Sequence, residues 1–185
     1  GGPGTGKSTI INGLIKMFRK NKPETRILLM APTGRASKRM EEATGEEAGT
    51  IHRKLQSKQG EGFTRNEENP LDADVVIVDE ASMIDVPLMS YLIKAIAKNT
   101  KVIIIGDTDQ LPSVGSGAVL ADIIKSNVVP VIKLNQVFRQ GKDSLIKVNA
   151  QKVREGLVDL EYSENEFNLV ESNDLQLLQG LIIRN

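Results

Sequence analysis

The first nine residues, Gly1-Gly2-Pro3-Gly4-Thr5-Gly6-Lys7-Ser8-Thr9, match Gly-x-x-x-x-Gly-Lys-Ser/Thr, with Gly1, Gly6, Lys7 and Ser8 in register. The residue types suit a polyphosphate. Backbone N–H groups can wrap an anion only where no Cβ intervenes, and Gly1, Gly2, Gly4 and Gly6 leave the main chain bare. The helix expected next aims its free N–H groups and partial positive charge at the same point. Lys7 adds a full charge near the β- and γ-phosphates, and the Ser8 hydroxyl is a hard oxygen ligand for Mg²⁺. Residues 1–9, a phosphate-binding loop, are therefore expected to cradle a nucleoside triphosphate.

Such a site also needs a carboxylate for the metal and a base for water. Val75-Val76-Ile77-Val78-Asp79-Glu80 supplies both. Four β-branched residues predict a buried strand, and the two acids emerge at its C-terminal end, where ligands bind in open parallel sheets. Asp79 is assigned to the metal, through a water, and Glu80 to orienting and deprotonating the attacking water.

Strands alternating with helices must hold these groups. Residues 7–20 carry Ile10, Ile11, Leu14, Ile15 and Phe18 at helical spacing, and Arg26–Met30 is a short apolar run that reads as a strand. Helices are expected over 33–43, 50–55, 87–97, 118–125 and 142–155, with strands over 73–78, 101–105 and 128–134. Residues 57–70 are polar, with two glycines and a proline, and predict an exposed loop; the tail predicts a strand at 167–170 and a helix over 173–183. The pattern implies an α/β fold with a mostly parallel sheet covered by helices on both faces. A phosphate-binding loop ordinarily follows a strand. None precedes Gly1 in this sequence, so the chain is expected to be a fragment that lacks the strand before the loop.

The 185 residues suit one domain, and 39% hydrophobic content is enough for one core. Basic and acidic residues balance at 24 each, so any nucleic-acid site must be local. The absence of cysteine excludes disulfides, thiolate chemistry and zinc ribbons. With 3% aromatics and no tryptophan, base stacking cannot dominate a nucleic-acid contact. No apolar run approaches the roughly 18 residues that span a bilayer, and no signal peptide precedes the loop, so a cytoplasmic protein without a membrane partner is expected.

Four further segments narrow the reading: Ala31-Pro32-Thr33-Gly34-Arg35-Ala36, Thr50-Ile51-His52-Arg53, Gly106-Asp107-Thr108-Asp109-Gln110-Leu111-Pro112-Ser113-Val114 and Val137-Phe138-Arg139-Gln140. With Asp79-Glu80-Ala81-Ser82-Met83, this ordered set resembles the first motor domain of superfamily 1 DNA helicases, most closely the RecD type, the exodeoxyribonuclease V alpha-subunit family. The likeness is dense over residues 1–156, the expected motor domain, and weak over 157–185, read as a strand-helix extension of it. It implies a RecA-like fold and ATP-driven 5′→3′ translocation on single-stranded DNA, with duplex unwinding in repair and recombination.

By that resemblance Gln110 senses the γ-phosphate and links it to the DNA channel, and Arg139 stabilises charge on the transferring phosphoryl group. A guanidinium fork suits that work. The resemblance places DNA contacts at Pro32, Thr33, Gly34, Arg35, Thr50, His52 and Arg53, where hydroxyls, a bare backbone and a helix N-terminus can meet phosphates without reading bases. It implies ATP and Mg²⁺ as cofactors, and as partners single-stranded DNA, a second RecA-like domain of the same chain, and the nuclease and helicase subunits of an exodeoxyribonuclease V complex. A Pif-type or relaxase-fused helicase shares most of these motifs. A nucleotide switch that does not hydrolyse would have no need of Glu80, Gln110 and Arg139 together.

Overall fold

The computed structural model describes residues 2, 5–58, 62–134, 144–163, 167 and 169. The chain forms two compact units, Gly1–Arg139 and Gln140–Asn185. The first carries a four-stranded sheet of β1 (Ile27–Ala31), β2 (Ala48–Thr50), β5 (Val75–Val78) and β6 (Lys101–Ile104), all parallel and ordered β2-β1-β5-β6. Leu29 pairs with Ile77 and Ile77 with Ile103, so the three longer strands finish at one level.

β5 is buried on both faces along its whole length because every residue is apolar and β-branched. Alternation along the strand divides the interior. Val76 and Val78 join Met30, Ile51, Leu55, Ile84 and Leu92 in one core, while Val75 and Ile77 join Ile11, Ile15, Leu29 and Met40 in the other. The second core is roofed by α1 (Lys7–Asn21) and α2 (Gly34–Thr44); the first is covered by α3 (Ile51–Lys54) and α4 (Val86–Lys94), with the side chains of Val119 and Leu120 from α5 (Val119–Ser126). The expected three layers are present.

Local chemistry sets where the helices start. Thr33, Thr50 and Asp85 stand before α2, α3 and α4, and each side chain accepts a main-chain N–H of the first turn, at 3.2, 3.1 and 2.9 Å. α1 has no such cap. It begins behind Gly6, whose φ of 87° is a left-handed conformation that a side chain would strain.

Two expectations meet a different outcome, and one short strand had no forecast. The three-residue β2 has no signal of its own and exists because β1 offers it a parallel edge. Residues 57–70 are not wholly loop: β3 (Ser57–Lys58) and β4 (Gly62–Phe63) pair as an antiparallel hairpin. Residues 128–134 form no strand; Val128 and Ile132 are 82% and 88% exposed, and Pro130 has no N–H to give a neighbour. In the second unit α6 (Leu145–Arg154) carries the buried Asn149, whose amide donates to Glu161 O at 2.5 Å and accepts from Glu161 N at 2.8 Å. Phe167 makes a single antiparallel bridge with Ser163, and the helix expected over 173–183 lies outside the described residues.

Candidate nucleotide site and nucleic-acid cleft

Because the sheet is parallel, β1, β5 and β6 deliver Pro32–Arg35, Asp79–Glu80 and Gly106–Gln110 to one end. Lys7 belongs to the same neighbourhood, since its positive charge bears on the Asp79 carboxyl. Burial pushes that carboxyl above the ordinary aspartate range and the Glu80 charge adds to the shift; the Glu80 backbone N–H, at 2.9 Å, and Lys7 oppose it. An acid held this way favours a nearby cation.

Within the loop, Thr5 is buried and its hydroxyl donates to Gly2 O at 2.8 Å, while the Lys7 ammonium donates to the same carbonyl at 3.1 Å. Both side chains therefore close over one carbonyl oxygen. Ser8 and Thr9 lie exposed in the first turn of α1. Gly1, Pro3, Gly4 and Arg139 lie outside the described residues.

Glu80 is itself strained. Its φ of 52° and ψ of 40° are left-handed, a conformation that costs a non-glycine residue about 1–3 kcal/mol where it persists. It persists because both sides are pinned: Asp79 N donates to Met30 O at 3.0 Å and Ala81 N to Ile105 O at 2.9 Å. Glu80 Oε2 is buried without a hydrogen-bond partner, and so is Oδ2 of Asp107, a residue only 1% exposed. Buried acceptors left open in this way mark a place that a donor or cation fills.

A magnesium ion fits these groups. Ser8 and Asp79 are both hard oxygen donors. Among the described residues no three His, Cys, Asp or Glu side chains cluster to hold a metal by themselves. Mg²⁺ at a phosphate site needs no such cage, taking one or two carboxylates together with substrate oxygens and water.

A cleft of about 670 Å³ opens beside this strand end, lined by Pro32, Thr33, His52 and Gln110. Gln110 thus lines the same cleft as Thr33, which stands before α2, and His52 of α3. Gly34, Arg35, Thr50 and Arg53 are not among the lining residues but occupy the same two helix starts, with Arg35, His52 and Arg53 exposed. Sequence reading missed the opposite wall, made of Met83, Asp85, Leu88 and residues 111–115. Only the exposure of Leu111 (86%) and Val114 (109%) discloses it, and apolar side chains in a turn give no sign of that in advance. The His52 ring packs on Phe63 of the hairpin at 5.7 Å, and Phe63 on Tyr91 of α4 at 4.9 Å.

A family profile described as AAA domain matches residues 1–116. This chain belongs to the AAA domain family. It is 42% identical over 140 residues to the ATP-dependent RecD2 DNA helicase of Deinococcus radiodurans, covering 76% of this chain and 19% of that one. It is 36% identical over 181 residues to the RecBCD enzyme subunit RecD of Mycobacterium tuberculosis, covering 84% and 31%. The expected RecD-type resemblance is borne out, and the chain spans about a fifth to a third of these curated relatives' length. Among solved structures, a Bacteroides Pif1 helicase in complex with ADP-AlF3 and ssDNA superposes with TM-score 0.55 at 19% identity, over 98% of this chain and 51% of that one. Bacteroides Pif1 bound to ssDNA gives 0.54 at 20%, over 82% and 40%. These likenesses show the fold: a parallel, RecA-like domain. Among the described residues no helix is long and apolar enough to cross a membrane.

Proposed function

We propose that this chain is the ATP-binding half of a RecD-like DNA helicase, coupling ATP hydrolysis to 5′→3′ movement along single-stranded DNA in repair and recombination. The observation that carries the reading is the Asp79–Glu80 pair at the C-terminal end of a parallel sheet, with Glu80 Oε2 buried and open and the Lys7 charge bearing on Asp79. Lys7 would exchange the Gly2 carbonyl for phosphate oxygens, and residues 1–9 would wrap the triphosphate. Ser8 and, through a water, Asp79 would hold Mg²⁺, which when bound neutralises charge growing on the phosphates. The Glu80 carboxylate, desolvated and open on one oxygen, is suited to align a water and take its proton. Gln110 senses the γ-phosphate, and Arg139 stabilises its developing charge.

The cleft beside Gln110 would carry the DNA strand. Thr33, Gly34 and Arg35 at the start of α2, and Thr50, His52 and Arg53 at the start of α3, offer hydroxyl, N–H and guanidinium groups to its phosphates, with Pro32 shaping the wall beside them. Pif1-type and relaxase-fused motors are the alternative, but the Pif1 structures are 19–20% identical against 36–42% for the RecD-type relatives. The intact protein would be cytoplasmic, with a motor domain of residues 1–156 extended by 157–185. It would close a second RecA-like domain over the nucleotide and work with or without exodeoxyribonuclease V partner subunits. The test is hydrolysis by the full-length protein with and without single-stranded DNA: turnover rises with DNA and Lys7→Ala abolishes it. A Lys7→Ala protein that hydrolyses ATP normally ends this reading.

A further inference from the structure

We infer that Ser82 is a positioning residue for Gln110, orienting the amide that the proposed function assigns to the γ-phosphate; the inference rests on that assignment. The Ser82 hydroxyl lies 3.5 Å from Gln110 Oε1 and donates to it. An amide whose oxygen is taken in this way turns its NH₂ group, the donor a phosphate oxygen requires, to the other side.

The main chain brings the two residues together. Ile105 O accepts from Ala81 N at 2.9 Å, and Gly106 lies so close that a Cβ there would stand 3.2 Å from both Ala81 N and Ser82 N. Asp107 then folds the chain back: Asp109 N donates to its Oδ1 at 3.1 Å and Gln110 N to its carbonyl at 3.3 Å. Farther along, Val86 N donates to Ser116 O at 3.0 Å, and a Cβ on Gly117 would fall 2.5 Å from Val86 Cγ2. The segment 105–117 is thus strapped along 81–86 at both ends, with Ser82–Gln110 as the side-chain tie between them. Since Ala81 follows Glu80 directly and Gln110 lines the cleft with Thr33 and His52, this tie links the hydrolytic acid to the DNA side through one hydroxyl. Its length suits a contact that tightens when a phosphate engages the amide.

The experiment is steady-state ATP hydrolysis by the full-length protein, saturated with single-stranded DNA, for Ser82→Ala, Ser82→Thr, Gln110→Ala and the Ser82→Ala/Gln110→Ala double variant. Removing the hydroxyl should lower kcat about fivefold, the scale of one neutral hydrogen bond, and leave KM for ATP within about twofold. Ser82→Thr should restore the rate, and the double variant should be no slower than Gln110→Ala alone. Ser82→Ala at full kcat, or a Ser82→Ala loss undiminished in the Gln110→Ala background, overturns the inference. So does Gln110→Ala at full speed, and in that case inactivity of Lys7→Ala leaves the motor reading standing.

Discussion

At the N-terminal end of the sheet, where β1 and β5 begin, Arg26 gathers Asp72 and Asp74 around its guanidinium, and its main-chain N–H also donates to Asp74 at 2.8 Å. These three side chains are solvated, and they border a small pocket of about 270 Å³. At the C-terminal end, where the same strands finish, Asp79 is half-buried beside Glu80, and Glu80 Oε2 and Asp107 Oδ2 are buried with no partner. One end pairs its charges in water, where each pair adds little and costs little. The other keeps acids desolvated and incompletely satisfied, and holds Glu80 in a left-handed conformation besides. Stability alone would remove those features. They lie at the end that also holds the cleft and the Asp79 carboxyl on which the Lys7 charge bears, which is where the proposed chemistry would take place.

The largest expected effect tests which end does chemistry. In the full-length protein Lys7→Ala should reduce DNA-stimulated ATP hydrolysis to background, measured as phosphate release. Glu80→Gln comes next: turnover should fall by about two to four powers of ten, with ATP binding by equilibrium titration retained, because the amide keeps the shape but takes no proton. Normal turnover in Glu80→Gln would erase the contrast. Gly106→Ala should cost about 1–3 kcal/mol in denaturant unfolding, since its Cβ would press on Leu120 and on two backbone nitrogens.

Acidity offers a finer comparison, because the two ends carry opposite signs. The Arg26 main-chain N–H and then its side chain hold the Asp74 carboxyl below its usual range. Asp74 therefore stabilises the fold above the ordinary aspartate value, and that contribution is lost as pH falls through the depressed one. The Asp79 carboxyl is raised, chiefly by burial, so the nucleotide-free fold binds that proton more tightly than the unfolded chain. Its contribution is present below the ordinary aspartate value and is lost as pH rises through the raised one. Melting temperatures across acid pH should thus respond in opposite directions to Asp74→Asn and Asp79→Asn. The same direction for both would break the comparison. Smallest of all, Arg26→Ala should leave ATP turnover unchanged and lower the melting temperature slightly.

Much of the fold was legible because its strongest signals are local. Val75–Val78 read as a buried strand and form one, and the helix expected from Thr33 starts there, with the Thr33 side chain capping its first turn. Where a signal depended on a partner, legibility failed. Residues 128–134 look apolar enough for a strand but find no neighbour, whereas Ala48–Thr50 look like nothing and pair because β1 is beside them. The β3–β4 hairpin hid in a polar loop, since what anchors it is Phe63 lying between His52 and Tyr91. The site divides the same way. The loop and the acid pair stand out by residue type, but the burial of Asp107, a single letter in a turn-rich stretch, does not.

By itself the sequence determined the kinds of groups available: glycines that bare the main chain, an ammonium, two carboxylates after a β-branched strand, and hydroxyls at helix starts. Those are properties of individual residues and short spacings, which a linear chain displays directly. Only the tertiary structure decided that the Lys7 charge bears on Asp79 across more than seventy positions, that Ser82 meets Gln110, and that two acidic oxygens are cut off from water. Proximity and desolvation arise when strands align in one direction and segments distant in sequence share one end of a sheet, and no local pattern encodes them.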